Sequence, residues 1–162
     1  MVFYKRALGG LAVVLFCVSL AFCEVEKVSI VAEQFYANEG KQISRLTGNV
    51  EVKKGKFDEL KADVIVINLD KNRQPVRYTA SGKVKFKILL NEKKYNGSCG
   101  TLTYVPATKV YTLEKDVVLN EIDAKRSVTA EKIVADQLKG VYRTENSKAP
   151  VRMNFELETK KK

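Results

Sequence analysis

The side chains able to do chemistry in this chain are few, and their types point to binding, not turnover. Its 162 residues include no histidine, which excludes Ser-His-Asp and Cys-His nucleophilic centres and zinc sets built on imidazole. No phosphate-cradling or dinucleotide glycine loop is present, and none of the 19 acidic residues stands out as a catalytic pair by its spacing. No enzyme, cofactor or metal is expected. What remains is positive charge. Lysine and arginine total 29 against those 19 acids, a net charge of +10. Such an excess suits a phosphate-rich or acidic partner: nucleic acid, anionic lipid or an acidic glycan. It suits equally a soluble surface that repels its own copies.

The N-terminus narrows that choice. Lys5 and Arg6 precede 17 uncharged residues from Ala7 to Cys23, the layout of a secretory signal peptide over residues 1–23. Small residues permit cleavage before Glu24 (Ala21 and Cys23) or before Phe22 (Ser19 and Ala21). Two other readings stay open. Seventeen residues is the low edge for crossing a bilayer, so the segment could stay as an anchor, and residues 20–23 loosely match a lipidation box. Export argues against nucleic acid as partner. Without the leader 139 residues remain, with a net charge of +8 because all 19 acids lie beyond it. That length serves one domain and not two. Cys17 and Cys23 belong to the leader, so Cys99 stands alone and no internal disulfide is expected. It reads as a small buried residue, with a reactive thiol as the alternative.

The elements that must position any site are strands. Apolar residues recur at every second place in "VEVKKGKF", "VKFKILL", "TLTYV" and "VRMNFEL", with turn clusters at 70–75, 91–97 and 144–150 between them. The segment 130–140 leans toward helix, but its equivalents elsewhere are strands, and strand is expected there too. Those equivalents form an internal repeat. In "IVAEQF", "LKADVI", "GSCGTL" and "VTAEKI" the third place is small: Ala32, Ala62, Cys99 and Ala130. An acid follows in three, Glu33, Asp63 and Glu131, and an apolar residue closes each: Phe35, Ile65, Leu102 and Ile133. Between 18 and 22 residues after each small residue a second element begins, at Val50, Val84, Val117 and Val151.

Parity within the unit predicts a bend. Ile30 shares a face with Ala32, Leu60 with Ala62, and Val128 with Ala130. Strict alternation would then turn Phe35, Ile65 and Ile133 outward. A β-bulge after the small-acidic pair returns them to the inside and kinks the strand, and Gly48 and Gly82 mark bends of the same kind. Stacked units of this sort fold a sheet over into a trough. Its inward set is Val28, Ile30, Phe35, Leu46, Val50, Val52, Leu60, Ile65, Tyr78, Val84, Phe86, Leu102, Tyr104, Leu113, Val117, Val128 and Ile133. Lys53, Lys54, Lys85 and Lys87 are candidates for the groove mouth.

In order and spacing, "VSIVAEQF", "RLTGNVEVKKGKFDELKADVIVI" and "NGSCGTLTYVPATKVYTLEKDVVL" resemble the LptA/OstA-like family over about residues 27 to 155. Gly100 in place of the acid, and Lys115-Asp116 where Gly-Asn is expected, depart from the pattern and imply a weaker third bend. The resemblance implies an all-β fold, a curved antiparallel β-jelly roll of about 16 strands over residues 24–157, followed by a basic tail at 158–162. It implies a periplasmic protein of the bridge that carries lipopolysaccharide from the inner to the outer membrane. The inward set would then hold lipid A acyl chains, and lysines at the mouth would meet headgroup phosphates. Implied partners are inner-membrane LptC-like and outer-membrane LptD-like jelly-roll domains, together with head-to-tail self-association through strand edges near 25–32 and 151–157. The inner-membrane-anchored LptC-like subunit shares the fold and is one alternative. An exported basic β-scaffold that binds acidic cell-envelope polymer on its outside, around a closed core, is another.

Overall fold

Period-two alternation becomes an uninterrupted antiparallel ladder in the computed structural model, which describes residues 27–145 and 148–156. The leader at 1–23 and the tail at 158–162 lie outside the described residues. Among the described residues ten strands form one sheet. They are β1 (Val28–Val31), β2 (Gln34–Asn38), β3 (Ile43–Lys54), β4 (Asp58–Leu69) and β5 (Pro75–Leu90), then β6 (Lys93–Val105), β7 (Val110–Glu121), β8 (Arg126–Asp136), β9 (Val141–Thr144) and β10 (Arg152–Phe155). Segment 130–140 is the second half of β8 and its turn, strand as its repeat position requires.

Turn chemistry joins neighbours tightly. Asn91 and Glu92 link β5 to β6 with φ values of 49° and 66°, the two left-handed residues of a type I′ hairpin, whose twist matches that of the strands. Between β4 and β5 the Asp70 carboxylate accepts from the backbone N–H groups of Asn72 and Gln74, each at 2.8 Å, so the side chain replaces a backbone partner and fixes the turn.

The six long strands all kink at one level. Registers slip between Thr47 and Val50, Lys61 and Val64, Ser81 and Val84, Ser98 and Thr101, and Glu114 and Val117. At each slip β3, β5 or β7 supplies two consecutive left-handed residues: Gly48-Asn49, Gly82-Lys83 and Lys115-Asp116. The ladder resumes on both sides, so each long strand continues through the kink. This is why ten strands are found where the resemblance implies about 16: an arm-by-arm count gives eight in each. The first arm is β1, β3, β4, β5, β6, β7, β8 and β10; the second replaces β1 and β10 by β2 and β9.

Acid and glycine meet across the kink. A Cβ added to Gly48 would strike the Glu33 side chain, and one on Gly82 would lie 2.8 Å from Asp63 Cβ. The Glu33 N–H donates to the Gly48 carbonyl at 3.1 Å, and its carboxylate accepts from Asn49 Nδ2. At these two bends the acid is therefore a clamp laid over the next strand's glycine. The third bend forms with its departures in place. There Gly100 is the bare position and the Lys115 side chain lies over it, with Lys115 and Asp116 left-handed despite the roughly 1–2 kcal/mol this costs a residue with a Cβ.

The two arms face each other over one core. Leu46, Val50, Ala62, Ile65, Ala80, Val84, Phe86, Cys99, Leu102, Leu113, Val117, Ala130 and Ile133 form a single buried cluster. Burial passes from Ala62 to Ile65, from Cys99 to Leu102 and from Ala130 to Ile133, an odd step that only a bulge permits.

Candidate functional site

Each inward side chain is placed by its row across the sheet. Of the sequence-predicted set, Leu46, Val50, Ile65, Val84, Phe86, Leu102, Leu113, Val117 and Ile133 are buried. Val52, Leu60 and Val128 pack against them, half-buried. Val28, Ile30 and Phe35 stand apart, 53%, 47% and 66% exposed. Their register explains it. Directly opposed residues of an antiparallel pair share a face; Ile30 opposes Val52 and Phe35 opposes Leu46. They look into the interior from edge strands that no other described residues cover.

The other end repeats the arrangement with residues of the alternating segment "VRMNFEL" that lie outside the inward set named above. Met153 opposes Val128 and is 66% exposed, and Phe155 on the same face is also exposed. Among the described residues the apolar interior therefore reaches solvent at both ends of the sheet, and it ends there in strand edges with no further partner strand.

Along its length the interior has a mouth where the hairpin tips of the arms approach. Tyr78 and Tyr104, both half-buried, stack there with centroids 6.2 Å apart, and Tyr104 stacks on Tyr111 at 4.4 Å. Across the mouth Tyr95 of the first arm meets Tyr142 of β9 at 5.9 Å. Asn91 Nδ2 donates to the Gln137 carbonyl at 3.2 Å, joining one tip of each arm. Burial pushes the Tyr111 and Tyr95 hydroxyls well above the usual phenol range, and the neighbours Tyr104 and Tyr142 push in the same direction. Tyr95, Tyr111 and Tyr142 are absent from the sequence-predicted set. Tyr111 lies in an alternating strand where the signal was present. Tyr95 falls in the stretch 91–97 that reads as a turn cluster, of which Asn91 and Glu92 form the turn while β6 begins at Lys93. Tyr142 sits in β9, a four-residue strand inside a polar stretch that gives no periodic signal.

The lysine candidates divide. Lys53, Lys85 and Lys87 alternate with inward Val52, Val84 and Phe86, so they stand on the outer face of the first arm and not at the mouth; only Lys54 shares the parity of Val52. Lys53 pairs with Glu51 at 2.9 Å and Lys87 with Glu59 at 3.3 Å, and Lys61 bridges to both acids at 3.5 and 3.0 Å. Lys61 and Lys87 hold the Glu59 carboxyl down to about 2. Cys99 is buried in the core, and burial pushes its thiol up to about 11. Among the described residues no group of three or more Cys, Asp or Glu side chains is arranged to hold a metal ion.

Among the described residues the arrangement removes apolar surface from water along a line that is open at both ends. Residues 29–141 match the family profile described as "LptA/(LptD N-terminal domain) LPS transport protein". No curated protein sequence matches the chain significantly. Among solved structures, the chain is similar to LptH, the LptA homologous periplasmic component of the conserved lipopolysaccharide transport device from Pseudomonas aeruginosa. The TM-score is 0.67 at 15% identity, with 81% of this chain and 96% of that chain covered. The shared feature is the fold, a folded-over antiparallel sheet that does not close.

Proposed function

The chain belongs to the LptA/(LptD N-terminal domain) family of LPS transport proteins, and on that footing we propose that it is a periplasmic segment of the bridge carrying lipopolysaccharide between the two membranes. One observation carries the reading: interior-facing Ile30 and Phe35 at one end, and Met153 and Phe155 at the other, are exposed. A closed sandwich covers such residues. A trough leaves them at its ends, where a neighbouring domain extends the apolar line.

Each methylene moved from water into this interior gains about 0.8 kcal/mol, so the acyl chains of lipid A are held by the arms while the charged headgroup stays outside the mouth. No bond is made or broken. The free edges of β1 and β2 differ from those of β9 and β10, and two different edges that pair form a head-to-tail contact that propagates. Strand addition of this kind joins copies of the chain, and joins it to LptC-like and LptD-like jelly-roll domains. The outer face favours this reading over a scaffold for acidic polymer, because Glu51 and Glu59 already engage Lys53, Lys61 and Lys87 there.

Purification from the periplasm followed by mass spectrometry of extracted lipids tests the proposal. Stoichiometric lipopolysaccharide supports it; protein free of lipid that also fails to take up added lipopolysaccharide contradicts it.

A further inference from the structure

Four of the chain's seven tyrosines, Tyr78, Tyr104, Tyr111 and Tyr142, are half-buried or exposed at the rim of the interior, and a fifth, Tyr95, is buried against Tyr142. Tyr78, Tyr104 and Tyr111 are consecutive cross-strand neighbours, their planes 28° and 25° apart. They lie two residues outward from Ala80, Leu102 and Leu113, all buried. Tyr95 and Tyr142 continue the line on the facing arm and the edge strand, their rings inclined at 36°. Deeper rows hold valine, leucine, isoleucine, alanine and Phe86, with the Cys99 thiol their one heteroatom among the clustered side chains. Packing alone does not call for this division, since phenylalanine fills the same volume. Tyrosine adds a hydroxyl where an apolar body must meet a wet boundary.

We propose that Tyr95, Tyr104, Tyr111 and Tyr142 form a hydrogen-bonding lip that recognises the uncharged polar groups joining acyl chains to a sugar headgroup, the ester and amide carbonyls and sugar oxygens. The proposal rests on the lipid-transport reading above and assigns specificity within it. Without lipid the rings already meet one another, Tyr104 with Tyr111 at 4.4 Å and Tyr95 with Tyr142 at 5.9 Å between centroids. A phenol is protonated at neutral pH and offers its hydrogen to any carbonyl that arrives. Acyl chains in the interior bring the headgroup junction to this line of hydroxyls. Hydrocarbon alone offers a phenol no acceptor, so the lip discriminates glycolipid from simple fatty acid.

The test compares two ligands on the full mature chain: lipopolysaccharide, and a fluorescent fatty acid with no sugar. Affinities are measured for the parent protein, Tyr111→Phe and Tyr142→Phe, with thermal unfolding as a check on folding. Tyr111→Phe is expected to weaken lipopolysaccharide binding about three- to tenfold more than fatty-acid binding, the scale of one lost hydrogen bond. Tyr142→Phe, on an exposed edge strand, is expected to do the same. Equal changes for both ligands in both variants, or no change for either, overturn the lip. A parent protein that binds neither ligand overturns the transport reading itself, and the lip with it.

Discussion

Lys115 lies over Gly100 at the third bend, the reverse of the second bend, where Asp63 lies over Gly82. The bulky side chain and the bare backbone have changed strands, and the space between them is conserved. Adding a Cβ at Gly100 brings it 2.7 Å from Lys115 Cβ, a distance that forces backbone movement. Gly100→Ala should therefore destabilise by about 1–3 kcal/mol in urea unfolding. Combining it with Lys115→Gly should recover most of that loss, giving a coupling of at least about 1 kcal/mol. Additive effects would show that the two strands do not share this space.

The thiol of Cys99 gives a pH signature. Its folded pKa of about 11 stands above the ordinary value of 9.0, so between those values the folded state binds the proton more tightly than the unfolded one. Stability from this group is complete below pH 9 and falls as pH rises toward 11. At pH 8 thiol-reactive dye should label native protein at least about a hundredfold more slowly than urea-unfolded protein, as expected of a buried cysteine. Cys99→Ala should flatten the alkaline decline; an unchanged slope would assign the decline to other groups.

Glu59 works in the acid direction. Its carboxyl is held at about 2, against an ordinary 4.5, by Lys61 and Lys87. Its contribution is present above pH 4.5 and lost as pH falls through 2. The group stands on the surface, so the effect is small, about 1 kcal/mol or less, and salt should reduce it. The stability difference between the parent and Glu59→Gln, followed from pH 7 to pH 2 at low and high salt, should shrink along both axes.

Assembly is addressed at β1. The Gly55 N–H donates to the Lys27 carbonyl at 3.2 Å, which makes that couple a hydrogen-bonded pair. Alternation along an antiparallel ladder then points the Val28 and Ile30 N–H groups away from β3, toward the free edge. Proline at Ile30 removes an outward donor while leaving the β1–β3 bonds in place. Ile30→Pro should shift sedimentation at high concentration from linear oligomers to monomer and leave monomer stability within about 1 kcal/mol of the parent. Oligomers of undiminished length would show that this edge is not the joint.

Much of this architecture is legible in the sequence, and the reasons are physical. The odd step from Ala62 to Ile65, repeated at Cys99–Leu102 and Ala130–Ile133, breaks the period of two in a way that only a bulge repairs, so bends and buried residues follow from parity. The clamp between Asp63 and Gly82 does not follow, because parity reports which face a residue takes and not which neighbour it touches. The lysines mislead for a related reason. Lys53 and Lys54 are adjacent yet point to opposite faces, so a basic cluster in the chain is divided by the sheet. Strand number escapes because a bulged strand is a single ladder bent in two, and Tyr142 escapes because four residues carry too little periodicity.

The central claim is that lipid occupies the space between the arms. A photo-crosslinking amino acid in place of Leu102, buried between them, or of Lys61, on the outer face, tests it in cells making lipopolysaccharide. Capture of lipopolysaccharide from position 102 and not from position 61 is the predicted result. Equal capture at both positions, or capture from position 61 alone, would contradict the account.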